Sequence, residues 1–284
     1  MAVRPYVEPQ FIKARSGYLF VSIRRPGHDD TRSVVLLLPP FGEEMNKSRR
    51  LFTLQAQTLC EAGFAVAVFD WFGTGDSEGD FGRASIEHWK NDCEDVMSFL
   101  RAQEFTECTP LCVRFGALFL DHVLDISPLS INHAILWQPE TSGAQALSQL
   151  IRVESAAARE RDESGPSGSD MENALKSGNN VEVAGYDVSP DLFSQTGLLK
   201  LELLKTDKLR RIDWFSIAGS ADAPIPPPAA RHVQRWAENG LYARAKIIEG
   251  ESFWSTKQLT VVPELVARTT AAVTSGAHQA RVQR

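Results

Sequence analysis

Residues 18–23 alternate: Leu19, Val21 and Ile23 interleave with Tyr18, Phe20 and Ser22. Together with the preceding "VEPQFIKAR" this predicts an N-terminal β-hairpin, and "PGHDDTRS" reads as the turn after it. The period then changes. "SVVLLLPPF" is a continuous β-branched and leucine run, the pattern of a strand buried on both faces of a parallel sheet. "KSRRLFTLQAQTLCEAG" has helical spacing, with Leu51, Leu54 and Leu59 on one broad face and Gly63 as the stop. "FAVAVFD" is the next buried strand. After the Gly/Asp-rich "WFGTGDSEGDFGR", an amphipathic helix carries Ile86, Trp89, Val96 and Leu100, with Ser85 as its N-cap. "PLCV", "NHAILWQPE", "DWFSIAG" and "ARAKIIEG" are further strands. "GALFLDHVLDI", "PPAARHVQRWAENG" and "QLTVVPELVARTTAAV" are the helices between and after them, and Pro263 kinks or restarts the last.

Strands thus alternate with helices from Val34 onward, behind a hairpin. That order predicts an α/β fold: a mostly parallel eight-stranded sheet with an antiparallel edge and helices on both faces. One long stretch breaks the alternation. Residues 139–210 read as a cap or lid inserted into a core made of 1–138 and 211–284. The insertion is helix-like at first, then Gly/Ser/Asn-rich, with Ser189-Pro190 opening another helix. Its middle, 162–180, is expected to be mobile.

Composition narrows the function classes. The 284 residues carry a formal charge of −6, so no basic face for nucleic acid is implied. The four cysteines, Cys60, Cys93, Cys108 and Cys112, form no C-x-x-C pair, which suits free thiols in a reducing compartment. The N-terminus lacks an apolar signal region, and no apolar run approaches the roughly 20 residues that span a bilayer. The expected location is the cytoplasm. Neither His nor Cys spacing suits a metal, and "GTGDSEG" lacks the Gly-Lys-Ser/Thr of a phosphate loop, so neither a metal nor another cofactor is expected.

Four ordered landmarks carry a resemblance. "LLLPPFGEEMNKSRR" follows the first central strand, "VFDWFGTGDSEGDFG" the second, "CVRFG" lies at a strand-to-helix turn, and "IAGSADAPIPPPA" follows a late strand. In this order they resemble the oxyanion loop, the Asp-x-x-Gly-x-Gly-x-Ser-x-Gly loop, the Gly-x-Ser-x-Gly nucleophile elbow and the acid loop of the α/β-hydrolase fold. "PPFGEEMNKSRR", "DWFGTGDSEGDF" and "EVAGY" together resemble the exosortase A system-associated hydrolases, type 2. That narrower resemblance implies a bacterial cytoplasmic protein tied to exopolysaccharide and protein-sorting loci. It implies a hydrolase only through the fold, and a fold alone licenses no activity.

The resemblance implies site positions, and the residues there depart from it. Arg114 stands at the serine position of the elbow, and Asp222 at the acid position. A guanidinium stays protonated and cannot attack a carbonyl. Arg114 is either an anion clamp, its fork matching carboxylate or phosphate, or a partner of Asp222 or of a loop acid. The base should lie in "EGESFWSTKQ", which has no histidine. His28, His88, His122, His133, His232 and His278 all fall elsewhere and read as packed or surface side chains. Cys112, Ser48, Ser77 and Ser252 are weak substitutes for the nucleophile. Backbone N–H groups of Phe41 and Phe115 would be the oxyanion donors. Glu43 and Glu44 would neutralise Arg114 or bind sugar hydroxyls. Trp71, Trp254 and Trp137 stand at the carboxyl edge of the sheet where ligands bind, and would either wall the pocket or serve the ordinary packing of the lid.

Two functions follow as expectations. One is an unconventional hydrolase of acyl-ester or carbohydrate-linked substrates, in which Asp222 or Glu44 activates water. The other is a pseudohydrolase that binds an anionic ligand or a protein partner through the old pocket. A small-molecule acyl or carbohydrate ligand is the expected partner, and a homodimer is left open.

Overall fold

The computed structural model describes residues 5–27, 31–161, 166–203, 208–256 and 258–282. The hairpin is β1 (Tyr6–Ala14) and β2 (Gly17–Arg25). The core strands are β3 (Ser33–Leu38), β4 (Ala65–Phe69), β5 (Glu107–Val113) and β6 (His133–Trp137). The hairpin β7 (Val181–Val183) and β8 (Tyr186–Val188) stands apart from them. The core closes with β9 (Arg211–Ala218) and β10 (Tyr242–Glu249). The main sheet runs β1-β2-β4-β3-β5-β6-β9-β10. Pairs from β4 to β10 are parallel; β1/β2 and β2/β4 are antiparallel.

The unbroken apolar run of β3 has its reason in the sheet: alternate residues feed two cores. Val34, Leu36 and Leu38 face one, and Val35 and Leu37 the other. The first core takes side chains of α2 (Ile86–Ala102), α3 (Leu120–Ile126) and α7 (Pro227–Glu238). The second takes α1 (Gly42–Glu61) and α8 (Pro263–Val282). Ser85 caps α2, its hydroxyl accepting from the His88 amide at 3.1 Å. Pro263 starts α8 rather than kinking it, so the helical spacing read from Gln258 onward holds only past the proline. The elbow segment begins as a 3-10 turn, Arg114–Phe119, and becomes helical only at Leu120.

Between β6 and β9 the chain forms α4 (Gly143–Arg161), α5 (Gly168–Lys176), the β7–β8 hairpin and α6 (Pro190–Thr196). Within the segment expected to be mobile, Gly168–Lys176 forms α5. Ser167 and Asp170 form a reciprocal capping box that starts α5. The remainder of that expectation, 162–165, lies outside the described residues. The insertion packs on the loop after β4: Ser189 Oγ donates to the Ala84 carbonyl, and Gln195 accepts from the Ile86 amide. Tyr186 packs on Phe81 and holds Asn46 of α1 through its hydroxyl at 3.1 Å. Among the described residues no helix is long and apolar enough to cross a membrane.

Candidate functional site: an arginine at the strand-to-helix elbow

The chain leaves β5 at Val113 and turns at Arg114, whose φ is +51°. A residue with a Cβ is strained there by about 1–3 kcal/mol and stays only where its surroundings over-determine it. Two residues on, a Cβ on Gly116 would overlap the Leu38 carbonyl oxygen and stand 2.9 Å from that of Pro39. Glycine therefore lets the turn close onto the β3–α1 loop. Phe41, the N-cap of α1, and Phe115 stand side by side, their rings edge-to-face at 4.7 Å.

The guanidinium fixes the elbow from above. Its Nε lies 3.3 Å from both Glu44 carboxylate oxygens, and Nη2 donates to Glu44 Oε1 at 3.0 Å. Nη2 also pairs with the Glu140 carboxylate. Nη1 donates to the Gln138 carbonyl at 3.1 Å, and the indole of Trp254 covers the guanidinium carbon at 4.7 Å. The Arg114 side chain is only 11% exposed, and the Glu44 and Glu140 side chains 27% and 17%. Burial raises the Glu140 carboxyl above its usual range, Arg114 pulls it back, and the Glu44 charge pushes it up again; the net shift is upward. Two carboxylates share one cation, so the cluster is formally short of one positive charge.

The Gln138 backbone is also left-handed, at φ +41°. Its amide donates to Phe215 O at 2.7 Å, and its side-chain carbonyl accepts from the Ile217 amide at 2.8 Å. β9 thereby holds the end of β6 where its carbonyl meets Arg114.

No family model matches the chain, and no curated protein resembles it in sequence. Solved structures do resemble it in shape. Est1E from Butyrivibrio proteoclasticus superposes with a TM-score of 0.63 at 12% identity, covering 95% of this chain and 99% of that one. Carboxyl esterase 2 of the fungus Tuber melanosporum gives 0.60 at 13%, covering 96% and 86%. A fungal esterase from Rhizomucor miehei gives 0.58 at 12%, covering 98% and 86%. This chain has the α/β-hydrolase fold. At such identities the likeness speaks for the fold alone.

Within that fold, the described residues bring together Arg114, Glu44, Trp254 and the Phe41–Phe115 pair, but not the others. Asp222 is exposed on the loop after β9; its carboxylate accepts no hydrogen bond among the described residues. The Arg114–Asp222 pairing that the sequence allowed is not formed; loop acids take that place. Glu43 is exposed and accepts from Asn46 Nδ2 at 3.1 Å. Trp71 does not wall a pocket: it is fully buried among Phe69, Trp89 and Phe119, and its Nε1 donates to the Pro39 carbonyl at 3.1 Å. The motif placed it at a strand end, but its large apolar ring is satisfied by the core beneath the loop. Trp137 is likewise buried, donating to Thr269.

Three of the four substitutes for a nucleophile, Ser48, Ser77 and Cys112, are also accounted for. Ser48 Oγ donates to the Glu44 carbonyl at 2.6 Å, and Ser77 Oγ to that of Asp70 at 2.6 Å. Cys112 is fully buried, and burial raises its thiol well above the usual range. Among the histidines, His88 stacks on Phe72, His122 meets the Lys90 carbonyl, and His232 meets that of Pro228. His133 is bonded to Asp213. His28 and the side chain of His278 lie outside the described residues. Sequence reasoning missed Glu140 and Gln138. The signal was present in "WQPE": β6 neighbours β5, so residues just past its end lie beside the elbow.

Proposed function

We propose that this chain is a pseudohydrolase, an α/β-hydrolase-fold protein whose former catalytic pocket binds an acidic ligand or partner rather than cleaving an acyl bond. The observation that carries this reading is the state of Arg114. It occupies the elbow where a serine would attack, and its fork holds carboxylates there. Such planar, bidentate-capable recognition is what a guanidinium does well, and nucleophilic attack is what it cannot do. The resemblance to exosortase A system-associated hydrolases, type 2, supports a bacterial cytoplasmic setting beside exopolysaccharide machinery. An acyl or carbohydrate-linked acid is the ligand class that fits this setting.

A second reading keeps a reaction. An unconventional acyl-ester or carbohydrate-linked hydrolase could use a carboxylate as base, and the raised carboxyl of Glu140 paired with Arg114 favours that version over Asp222, which is exposed and has no bond to Arg114 among the described residues. The two readings separate in one assay. Purified chain is offered nitrophenyl acyl esters and acetylated sugars. The expected result is no turnover above the buffer rate by wild type, and none by Arg114→Ser, which regains a hydroxyl but no base. Wild-type turnover that vanishes in both Arg114→Ala and Glu140→Gln and survives in Asp222→Asn would replace the pseudohydrolase with the hydrolase.

A further inference from the structure

Glu140 sits on the short link between β6 and α4, and this link is tied down from both sides. Its amide donates to the Arg114 carbonyl at 3.1 Å while its carboxylate pairs with Nη2 of the same residue. The next residues fasten to the far end of the insertion. The Thr141 carbonyl accepts from Leu201 N at 3.1 Å, Ser142 bridges Lys200, and Gly143 N donates to Leu199 O at 2.9 Å. A Cβ on Gly143 would overlap the Thr196 carbonyl oxygen. The residue that occupies Arg114 is therefore the one from which the insertion departs.

We propose that Glu140 is an autoinhibitory contact: its carboxylate is an internal stand-in for the carboxylate of an acidic ligand, which takes its position on Arg114 as Glu140 withdraws. This rests on the reading of the pocket as an acid-binding site. Three observations single out Glu140 rather than Glu44 as the group displaced. Glu44 lies along the Nε–Nη2 edge of the guanidinium and belongs to the first turn of α1, where the helix end favours a negative charge. Glu140 has only Nη2, and shares it with Glu44, so two carboxylates crowd one nitrogen. Of the two, Glu140 is the more buried side chain. The charged groups facing it are Arg114 from the elbow, with which it pairs, and Glu44 from α1, which repels it, with the uncharged indole of Trp254 on the Arg114 face. The upward shift of its carboxyl agrees with this: ionised Glu140 is held at a cost. A ligand carboxylate exchanged for that of Glu140 leaves the charge on Arg114's neighbours unchanged, and releases a link anchored to both ends of the insertion.

The test is a calorimetric titration of the full chain with benzoate, with neutral benzamide as control, at pH 8 and pH 5.5. Removing the internal carboxylate in Glu140→Gln should tighten benzoate binding at least tenfold at pH 8, without affecting benzamide. The gap to wild type should narrow at pH 5.5, because protonation then weakens Glu140's own hold. Glu140→Ser, which leaves room as well as removing charge, should behave as Glu140→Gln does. Arg114→Met should bind no benzoate. Equal or weaker binding by both Glu140 variants, with wild type binding measurably, would overturn the autoinhibition and leave the acid-binding reading standing. No benzoate binding by any variant would overturn both.

Discussion

Arg114 combines two costs at one residue: a left-handed backbone and a nearly buried charge. Each is held by partners that would suffer if the arginine left. Arg114→Met keeps the volume and the backbone strain but strands Glu44 and Glu140, and breaking a buried pair in this way costs about 3 kcal/mol. The pH dependence has a definite sign. The Glu140 carboxyl already titrates above its unfolded value, so the folded chain holds a proton that the unfolded chain has released. Such a group weakens folding as pH rises through that interval. Without Arg114 the upward shift grows. The stability gap between Arg114→Met and wild type, measured by urea unfolding, should therefore be largest at pH 8 and smaller at pH 5. The identity of Arg114 and its place on an elbow were legible in "CVRFG". Its partners were only half legible. Glu44 lies in the loop that the motif order places nearby, whereas Glu140, though visible in "WQPE", comes beside the elbow only once β6 is known to pair with β5.

At the scale of elements, packing against loops decides more than helical spacing does. In α2 the apolar face Ile86, Trp89, Cys93, Val96, Met97 and Leu100 is interrupted by Asp92, which is fully buried. Asp92 Oδ2 accepts from the Phe72 amide at 2.8 Å, while Trp89 Nε1 donates to the Phe72 carbonyl at 3.2 Å. The helix thus grips the loop after β4 by both groups of one peptide residue. Oδ1 has no hydrogen-bond partner among the described residues, and burial lifts the Asp92 carboxyl to about 7. Folded Asp92 keeps its proton between the ordinary aspartate value, about 3.9, and about 7, so over that range its contribution falls as pH rises. A shift of this size corresponds to roughly 4 kcal/mol at most. Asp92→Asn should be more stable than wild type at pH 8 and should flatten the stability profile between pH 5 and 8, as read by thermal unfolding. The amphipathic spacing of α2 was plain in the sequence, and so was its Ser85 cap. A charged side chain on the apolar face was not readable as a loop anchor, because the amide it holds is 20 residues away. The elbow glycine makes the complementary case. Gly116→Ala would drive a methyl into the Leu38 carbonyl, and a loss of about 2–3 kcal/mol is expected from the backbone shift it forces.

Across the whole molecule the two ends of the parallel strands carry opposite solutions to buried charge. At the carboxyl ends one cation serves two carboxylates, Glu44 and Glu140. At the amino ends one carboxylate, Asp213, serves two cations and a histidine. Arg211 Nε and His133 Nε2 each approach Asp213 Oδ2 at 2.7 Å, and Arg244 Nε pairs with Oδ1. Burial alone would raise the Asp213 carboxyl, but His133, Arg244 and Arg211 together hold it well below the usual range. His133 is lowered by burial, so its neutral ring donates from Nε2 and leaves Nδ1, against Gly276, without a partner among the described residues. The alternation of strands and helices made the sheet legible from the sequence. The order β4-β3-β5-β6-β9-β10 was not, and it is this order that stacks three strand starts and gathers Arg211, His133 and Arg244 around Asp213. Both signs agree for this network. A depressed carboxylate stabilises above its unfolded value and loses that contribution as pH falls; a depressed histidine stabilises above about 6.5 and loses it as pH falls. Asp213→Asn preserves shape but leaves Arg211 buried with an uncompensated charge, so about 3 kcal/mol should be lost at pH 7. The deficit should begin to shrink only as pH falls below the ordinary aspartate range, and should close only in stronger acid, where the depressed Asp213 carboxyl of wild type also takes up a proton. Benzoate affinity measured on the folded variant should stay within twofold of wild type, since the network lies at the opposite end of the strands from Arg114. A parallel loss of both would mean that the two charged clusters are coupled through the sheet.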